Sequence, residues 1–200
     1  MSRQVGRLGS FVEDMSALQK LEDMTCKRRE LDLSELASDL RHAGDVLCGN
    51  RAVAFQLSAN LAEGRRRLAS AMRPSADGEL VMEVFENLVS NGARFAHEKV
   101  EVRVGVEKAL GAGGEVLEYL TVTVTDDGPG FGEEALREAM KPFYSQEMGC
   151  EGHLGLGLHI CSLLCQKHGG GLTVGNAKSG GGQVRASFLL GKEYGNTLAG

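Results

Sequence analysis

Two asparagines and an arginine stand at helical spacing in the middle of the chain. Asn87 and Asn91 are four residues apart and Arg94 follows within one turn, so a helix would present all three on one face. Mg²⁺ prefers oxygen ligands and keeps several waters, so one amide oxygen together with phosphate oxygens is enough to hold it. Taken alone, the same residues are more simply explained as a solvated helix face, because short motifs often match by chance.

A second candidate is an acidic residue at the end of a predicted strand. Asp126 follows the alternating segment 121–125 and precedes the turn 127–130 (DGPG), where missing side chains let the backbone approach a ligand. An ionised carboxylate only accepts hydrogen bonds, which suits the exocyclic amine of adenine but not the carbonyl that guanine has there. Alone, an Asp-Gly turn is too common to indicate a binding site.

A glycine-rich segment before an apolar helical pattern is the third candidate. Residues 155–158 read Gly-Leu-Gly-Leu and precede Ile160, Leu163 and Leu164, so N–H groups at a helix N-terminus could face phosphates. No GxxxxGK[ST] segment occurs in the sequence, which excludes a P-loop ATPase. His168 precedes three glycines and is interpreted as a structural residue at the end of that helix.

The sequence pattern places these candidates on a mixed α/β scaffold. Apolar residues recur with helical spacing over 80–95, and alternation over 100–106 and 120–124 predicts a β-hairpin across the glycine-rich loop 111–114. The segment 74–78 is predicted as the turn that leads into helix 80–95. The remaining predicted elements are helices over 32–47, 133–140 and 156–167 and strands over 52–57, 172–174 and 184–190.

The N-terminal segment carries a short apolar seam. Leu8, Phe11, Met15 and Leu18 follow 3-4-3 spacing, which breaks at Glu22 and is too short to establish a coiled coil. An ordinary amphipathic helix and the stub of a longer dimerising helix both fit this pattern, and we prefer the second interpretation.

Composition limits the class of protein. The 200 residues carry 22 Lys and Arg against 27 Asp and Glu, and the net charge of −5 argues against nucleic-acid binding. No apolar run is long enough for a membrane span or a signal peptide, so we expect a cytoplasmic chain without direct membrane contact. The five cysteines include no CxxC pair, which argues against a zinc knuckle; Cys161, Cys165 and His168 could share a helix face, but burial is the commoner reason for such cysteines.

Four segments in a fixed order carry a family resemblance. Residues 86–91 (ENLVSN), 126–131 (DDGPGF), 141–144 (KPFY) and 152–158 (GHLGLGL) resemble the N, G1, F and G2 boxes of sensor histidine kinases, a branch of the GHKL ATPases. The resemblance covers residues 80–190. It implies an α/β two-layer sandwich of the Bergerat type, in which helices cover one face of a mixed sheet, and it implies ATP and Mg²⁺ as cofactors.

The resemblance also assigns roles to individual residues. It makes Asn91 the Mg²⁺ ligand, places Asn87 and Arg94 beside the phosphates as catalytic residues, and sets Phe95 and Asp126 against adenine. The residues that would shape the rest of the pocket are Gly128 and Gly130 at its floor, Phe143 at the edge of a lid over 144–154, and Gly155, Leu156, Gly157 and Leu158 along the triphosphate.

Position 87 separates branches of the superfamily. Gyrase-, MutL- and Hsp90-like relatives have a glutamate there that activates water, whereas this chain has Asn87, and its neighbour Glu86 points about 100° away around the helix. The resemblance therefore implies slow hydrolysis and a γ-phosphate kept for a protein nucleophile, a transfer that needs chiefly positioning and charge neutralisation.

No histidine in the sequence fits the family's phosphoacceptor, which lies upstream in a helical hairpin and precedes an acidic residue. His97 precedes Glu98 but lies after the N box, and the other four histidines lack the acidic neighbour. We therefore expect a fragment, with the end of a dimerisation hairpin at 1–28, the catalytic domain at 29–192 and a tail at 193–200. Its partners would be the phosphoacceptor domain of a homodimeric parent and a response regulator, and the isolated chain would not autophosphorylate.

Two other functions fit the sequence. A stand-alone GHKL serine kinase that binds a sigma factor or its antagonist would use the same boxes, but it leaves the N-terminal seam unexplained. A non-catalytic, nucleotide-dependent interaction module would keep the fold around a degenerate site, and its affinity for nucleotide would not depend on Asn91 or Asp126.

Overall fold

A computed structural model of the chain describes residues 25–60, 72–144 and 155–194. The apolar seam predicted near the N-terminus, most of the predicted lid and the end of the predicted tail lie outside these residues.

A five-stranded mixed sheet forms one layer of the fold. From one edge to the other, its strands are β2 (Ala54–Asn60), β4 (Lys99–Leu110), β5 (Val116–Asp126), β7 (Gly182–Leu189) and β6 (Gly171–Asn176). β2 and β4 run parallel, and the other neighbouring pairs run antiparallel. The predicted hairpin is formed by β4 and β5, which pair from Val100 opposite Asp126 to Leu110 opposite Val116.

Alternation along the strands separates the two faces of this sheet. Val102, Val124 and Val184 lie side by side on β4, β5 and β7; the first two belong to the hydrophobic core and Val184 packs against it. Arg103 and Thr123, the next pair along β4 and β5, therefore lie on the other face, where Arg103 is exposed. The predicted mixed sheet with one helix-covered face is confirmed.

Helices form the second layer. They are α1 (Leu33–Gly49), α2 (Gly78–Phe95), α3 (Glu133–Glu138) and α4 (Gly157–Lys167). α2 lies in the middle, in contact with α1 and α4 and with β4, β5 and β7. Its buried stripe is Leu80, Val81, Val84, Phe85, Leu88, Val89, Gly92 and Ala93, and the periodicity of that stripe predicted the helix to within two residues of its start. None of the helices in the described ranges is long and apolar enough to cross a bilayer.

Aspartates begin the two longest helices. The Oδ1 atom of Asp32 accepts hydrogen bonds from the N–H groups of Ser34 (2.7 Å) and Glu35 (3.2 Å) at the start of α1. Asp77 similarly accepts from the N–H of Leu80 (3.2 Å) at the start of α2. Each bond satisfies a donor that the helix itself leaves unpaired.

A second, three-stranded sheet corrects the prediction that residues 74–78 form only a turn. β3 (Met72–Ala76) pairs with β1 (Arg29–Glu30) on one side and with β8 (Gly191–Tyr194) on the other. Pro and Ser within β3 made it resemble a turn, and its partners come from opposite ends of the chain, so no local pattern indicates the pairing. This small sheet fixes the backbone that leads into Asp77 and α2.

Candidate nucleotide-binding site

The N-box helix and the glycine-rich helix start are neighbours in the structure. Asn87 is exposed on α2, and its Nδ2 donates a hydrogen bond of 3.0 Å to the carbonyl oxygen of Glu83 one turn earlier. A Cβ atom added at Gly157 would lie 3.8 Å from the Oδ1 atom of Asn87, so that amide oxygen faces the first residue of α4. Two segments that are 70 residues apart in sequence therefore form one surface.

The start of α4 has the chemistry of a phosphate site. α4 runs for 11 residues from Gly157 and receives no side-chain capping hydrogen bond at its N-terminus. Its first N–H groups lie beside Asn87, where the helix dipole also favours negative charge. The side chain of Leu156 is only 1% exposed and belongs to the core, as does part of Leu158, so any contact of Leu156 with phosphate would use its backbone.

Three predicted site residues follow one another around the end of α2. Asn91 is half-buried there, and the guanidinium carbon of Arg94 lies 4.4 Å from the ring centroid of Phe95, a cation–π contact. α2 ends at Phe95, and a Cβ atom at Gly128 would collide with the Phe95 carbonyl oxygen. Only a glycine at position 128 lets the G1 turn cross the helix end this closely.

Asp126 is held in place by backbone donors. Its Oδ1 atom accepts hydrogen bonds from the N–H of Gly128 (2.9 Å) and from the N–H of Gly182 (3.1 Å) at the start of β7. Among the described residues no hydrogen bond to Oδ2 is formed. One oxygen therefore fixes the orientation of the carboxylate, and the other keeps acceptor capacity for an amine such as that of adenine.

Asp127 has a role that the sequence did not suggest. Its carboxylate accepts hydrogen bonds from the N–H groups of His97 (2.9 Å), Glu98 (3.1 Å) and Lys99 (3.2 Å), which join α2 to β4. Desolvation raises the pKa of Asp127, but these hydrogen bonds together with one from its own N–H outweigh that effect, and its pKa lies below the ordinary value. Asp127 thus ties the G1 turn to the segment after Phe95.

Tyr144, the first residue of the predicted lid, lies against Gly155, the residue that follows the lid in sequence. A Cβ atom at Gly155, whose φ is +70°, would collide with the backbone of Tyr144, so residues 144 and 155 are in direct contact. Phe143, at the edge of this junction, is 58% exposed and has φ +66°, a region that is uncommon for bulky residues and often marks functional sites. His159 on α4 joins the same edge, because its Nδ1 lies 3.0 Å from the carbonyl oxygen of Met140.

The cysteine pair on α4 is structural. Cys161 and Cys165 are fully buried, and burial raises the pKa of both thiols, which disfavours the thiolate that a metal would need. His168 is also fully buried, as expected for a structural residue, and accepts a hydrogen bond from the N–H of Asp77 at 2.9 Å. Within the described ranges no three His, Cys, Asp or Glu side chains are arranged to hold a metal ion.

Comparison with known families agrees with this geometry. The model of the family described as "Histidine kinase-, DNA gyrase B-, and HSP90-like ATPase" matches residues 76–192, more than half of the chain. The chain belongs to this ATPase family. The matched range includes the N box, the G1 turn, the F box and the start of α4, so the resemblance in the sequence is confirmed.

Relatives place this ATPase-family chain with sensor kinases. It is 29% identical over 184 residues to the C4-dicarboxylate transport sensor protein DctB of Pseudomonas aeruginosa. The aligned region covers 87% of this chain and 29% of DctB. It is 25% identical over 190 residues to the sensor histidine kinase SpaK of Bacillus subtilis, covering 94% of the chain and 38% of SpaK. The chain thus spans about a third of these relatives and is an ATP-binding catalytic domain of the sensor histidine kinase type.

A solved structure confirms the fold of this ATPase-family domain. Full-length ShkA in complex with AMPPNP superimposes with a TM-score of 0.69 at 18% identity, over 94% of this chain and 37% of ShkA. At that identity the likeness establishes the fold, the two-layer α/β arrangement that the sequence predicted.

Proposed function

We propose that this domain transfers the γ-phosphate of Mg·ATP to a histidine that lies outside the chain, in the phosphoacceptor domain of its parent sensor kinase. The parent would be a homodimer and would pass the phosphate to an aspartate of a response regulator. The single observation that carries the proposal is the juxtaposition of Asn87 with the uncapped N-terminus of α4 at Gly157. In this arrangement the helix N-terminus would bind phosphate, and residue 87 beside it is an asparagine rather than a carboxylate that could activate water.

Different residues around this surface would contact different parts of the nucleotide. Oδ2 of Asp126 would accept a hydrogen bond from the adenine amine, and Phe95 would flank the ring beside Gly128 and Gly130. The N–H groups at the start of α4 would hold the phosphates. Arg94 would leave its contact with Phe95 or share it, since a guanidinium can bind phosphate and stack on an aromatic ring.

The donor set also fits a magnesium ion. Mg²⁺, when bound, supplies positive charge next to the β- and γ-phosphates. Asn91 would offer it one amide oxygen from the half-buried part of α2. Asn87, whose Nδ2 is engaged with Glu83, presents only its acceptor oxygen toward α4 and would support the same phosphate group.

Asn87 also decides between hydrolysis and transfer. A neutral amide does not take a proton from water, so the site lacks a general base at this position. Glu86 is exposed and lies about 100° around the helix from Asn87. Slow hydrolysis preserves the γ-phosphate for a protein nucleophile, which is the behaviour of a kinase.

The histidines of the described residues support an external acceptor. His168 is buried, and Nδ1 of His159 lies 3.0 Å from the carbonyl oxygen of Met140. His42 and His97 are exposed, but no acidic residue follows His42 and His97 lies after the N box, so neither fits the family's acceptor. We propose residues 29–192 as the catalytic domain, 1–28 as the end of the dimerisation hairpin and 193–200 as a tail. In the structure β1 begins at Arg29 and β8 extends to Tyr194.

The test is phosphate incorporation from γ-labelled ATP and Mg²⁺ into two proteins, this chain and the product of the full coding sequence. The proposal predicts acid-labile, base-stable phosphate, as on histidine, in the longer protein, and none in this chain alone. Asn91→Ala in the longer protein should abolish the signal. Acid-stable phosphate on a serine of an added partner would support the serine-kinase alternative, and absence of any transfer would support the interaction module.

A further inference from the structure

Asn176, the last residue of β6, holds the backbone of the G1 turn. Its Oδ1 accepts a hydrogen bond from the N–H of Phe131 (2.7 Å), and its Nδ2 donates to the carbonyl oxygen of the same residue (2.8 Å). The side-chain amide thus pairs with Phe131 as a backbone peptide group does across a sheet. Asn176 also lies against Gly130, where an added Cβ atom would be 2.7 Å from its Oδ1.

The turn that follows Asn176 holds the other end of the same segment. Between β6 and β7 the chain reverses, with a hydrogen bond from the N–H of Ala177 to the carbonyl oxygen of Gly181 (3.0 Å). Gly181 is packed so closely on the carbonyl group of Asp126 that an added Cβ atom would collide with it. The next residue, Gly182, donates its N–H to Oδ1 of Asp126 at 3.1 Å.

These contacts bracket the segment from Asp126 to Phe131. Asn176 binds Phe131, the last residue of the segment, and Gly182 binds Asp126, the first. Because Asn176 and Gly182 are paired in the β6–β7 register, the distance between these two contacts is fixed. Gly128 lies between them and reaches the carbonyl oxygen of Phe95. The β6–β7 hairpin end therefore sets the position of the whole G1 turn, which sequence analysis assigned to the nucleotide pocket without this support.

We infer that Asn176 is a positioning residue for nucleotide recognition, which holds the G1 turn so that Oδ2 of Asp126 meets the amine of adenine. The inference rests on the ATP binding of the proposed function and extends it to a residue outside the four boxes. Asn176 is exposed, so its two hydrogen bonds do not serve to satisfy buried groups of the core. These hydrogen bonds instead fix the backbone of Phe131 and, through it, the position of the G1 turn.

The experiment measures two properties of Asn176→Ala: binding of ATP and of ITP with Mg²⁺, and amide hydrogen exchange of Phe131 without nucleotide. ITP has a carbonyl where ATP has the amine, so the ratio of the two affinities reports on Asp126. Loss of two neutral hydrogen bonds should weaken ATP binding about 5- to 30-fold. The ratio should fall about threefold or more, and the Phe131 N–H should exchange faster.

Two further variants complete the design. Ser179→Ala changes an exposed residue of the same turn and should leave affinity, ratio and exchange at the wild-type values. Asn176→Ser keeps one short polar group, and it should recover part of the selectivity that Asn176→Ala loses.

The outcomes separate this inference from the proposed function. If the wild-type chain binds neither nucleotide, the proposed function fails and the inference fails with it. If the wild type prefers ATP and Asn176→Ala binds both nucleotides with unchanged affinity and ratio, only the inference is overturned. Global unfolding of both position-176 variants would also overturn it, because Asn176 would then act on the fold rather than on the site.

Discussion

The N–H of Asp77, which caps α2, donates a hydrogen bond of 2.9 Å to Nε2 of His168, at which α4 ends. His168 is fully buried, and its ring packs edge-on against Phe188 with 5.6 Å between centroids. α2 carries Asn87 and α4 begins at Gly157, so this one bond joins the far ends of the two helices that would form the proposed phosphate surface.

We expect His168 to make the domain sensitive to mild acid. Desolvation and, secondarily, the nearby Arg28 lower the pKa of His168 below its ordinary value. The unfolded chain therefore binds a proton on this residue more readily than the folded chain does. Its contribution to the free energy of unfolding is fully present above the unfolded pKa of about 6.5 and falls as pH drops below that value.

Urea unfolding at a series of pH values from about 8 to about 5 checks this expectation, because this range brackets the ordinary histidine pKa of about 6.5. His168→Gln should flatten the pH dependence in that range and lower the stability at pH 8, whereas the exposed His97→Gln should retain the wild-type slope. An unchanged slope in His168→Gln would mean that another group is responsible.

Arg28 should stabilise the domain through two carbonyl groups. Its guanidinium donates to the carbonyl oxygens of Leu189 (2.7 Å) and His168 (2.9 Å) and so joins the segment before β1 to the ends of β7 and α4. Arg28→Ala should lower the free energy of unfolding by about 1 to 3 kcal/mol, as expected for charge-assisted hydrogen bonds at a partly exposed site. Arg28→Lys should recover part of the loss.

Chemical denaturation measures the effect of the Arg28 variants on stability. The comparison requires that the unfolding free energy of every variant depends on denaturant concentration with the same slope. The neighbouring Arg29 has an exposed side chain, so Arg29→Ala provides the matched control and should remain close to the wild type. If the Arg28 and Arg29 variants lost stability equally, the two carbonyl contacts would not be the cause.

Asp127 should matter for stability in the carboxylate form. Because its three neighbouring N–H donors hold its pKa below the ordinary value, the stabilisation is present at neutral pH and is lost as pH falls from about 4 downward. Asp127→Ala should cost about 1 to 2 kcal/mol at pH 7, since backbone donors lose a charged acceptor but remain accessible to water. The effect should shrink in acid, as measured by thermal unfolding at pH 7 and pH 3. A loss that is equal at both pH values would contradict this account of Asp127.

Two glycines of the G2 box should respond differently to alanine. At Gly157 an added Cβ atom is 3.8 Å from Oδ1 of Asn87, an ordinary contact, so Gly157→Ala should fold normally but place a methyl group on the proposed phosphate surface. At Gly155 the positive φ and the collision with Tyr144 oppose any side chain, and Gly155→Ala should destabilise the domain by about 1 kcal/mol or more. Paired thermal unfolding and AMPPNP titration distinguish the two effects. Normal AMPPNP binding by Gly157→Ala would contradict the placement of the phosphates.

Local patterns were sufficient for the elements that carry the boxes. The apolar stripe of α2 and the alternation of β4 and β5 are properties of short segments, and they placed Asn87, Asn91 and Asp126 on the correct elements. The G1 turn after β5 was equally evident from its glycines. The fixed order of the four boxes indicated the family, and the family resemblance in turn implied the fold.

Long-range support could not be predicted in the same way. Asn176 contacts Phe131 across 45 residues, and Asp127 contacts His97 across 30. The polar residues involved look like ordinary turn formers, and nothing in their neighbourhood indicates a partner. β1, β3 and β8 were missed for the same reason, since each strand is short and is stabilised by pairing with a distant segment.

Calorimetric titration of AMPPNP tests most directly whether Asp126 and the N-box helix form an adenine-selective Mg·ATP site. With Mg²⁺ present, Asp126→Asn should weaken binding about 30-fold or more, because it loses a charged acceptor. The distant, exposed Asp45→Asn should bind as the wild type does. Equal affinity of the wild type and Asp126→Asn, with GTP competing as well as ATP, would contradict the account.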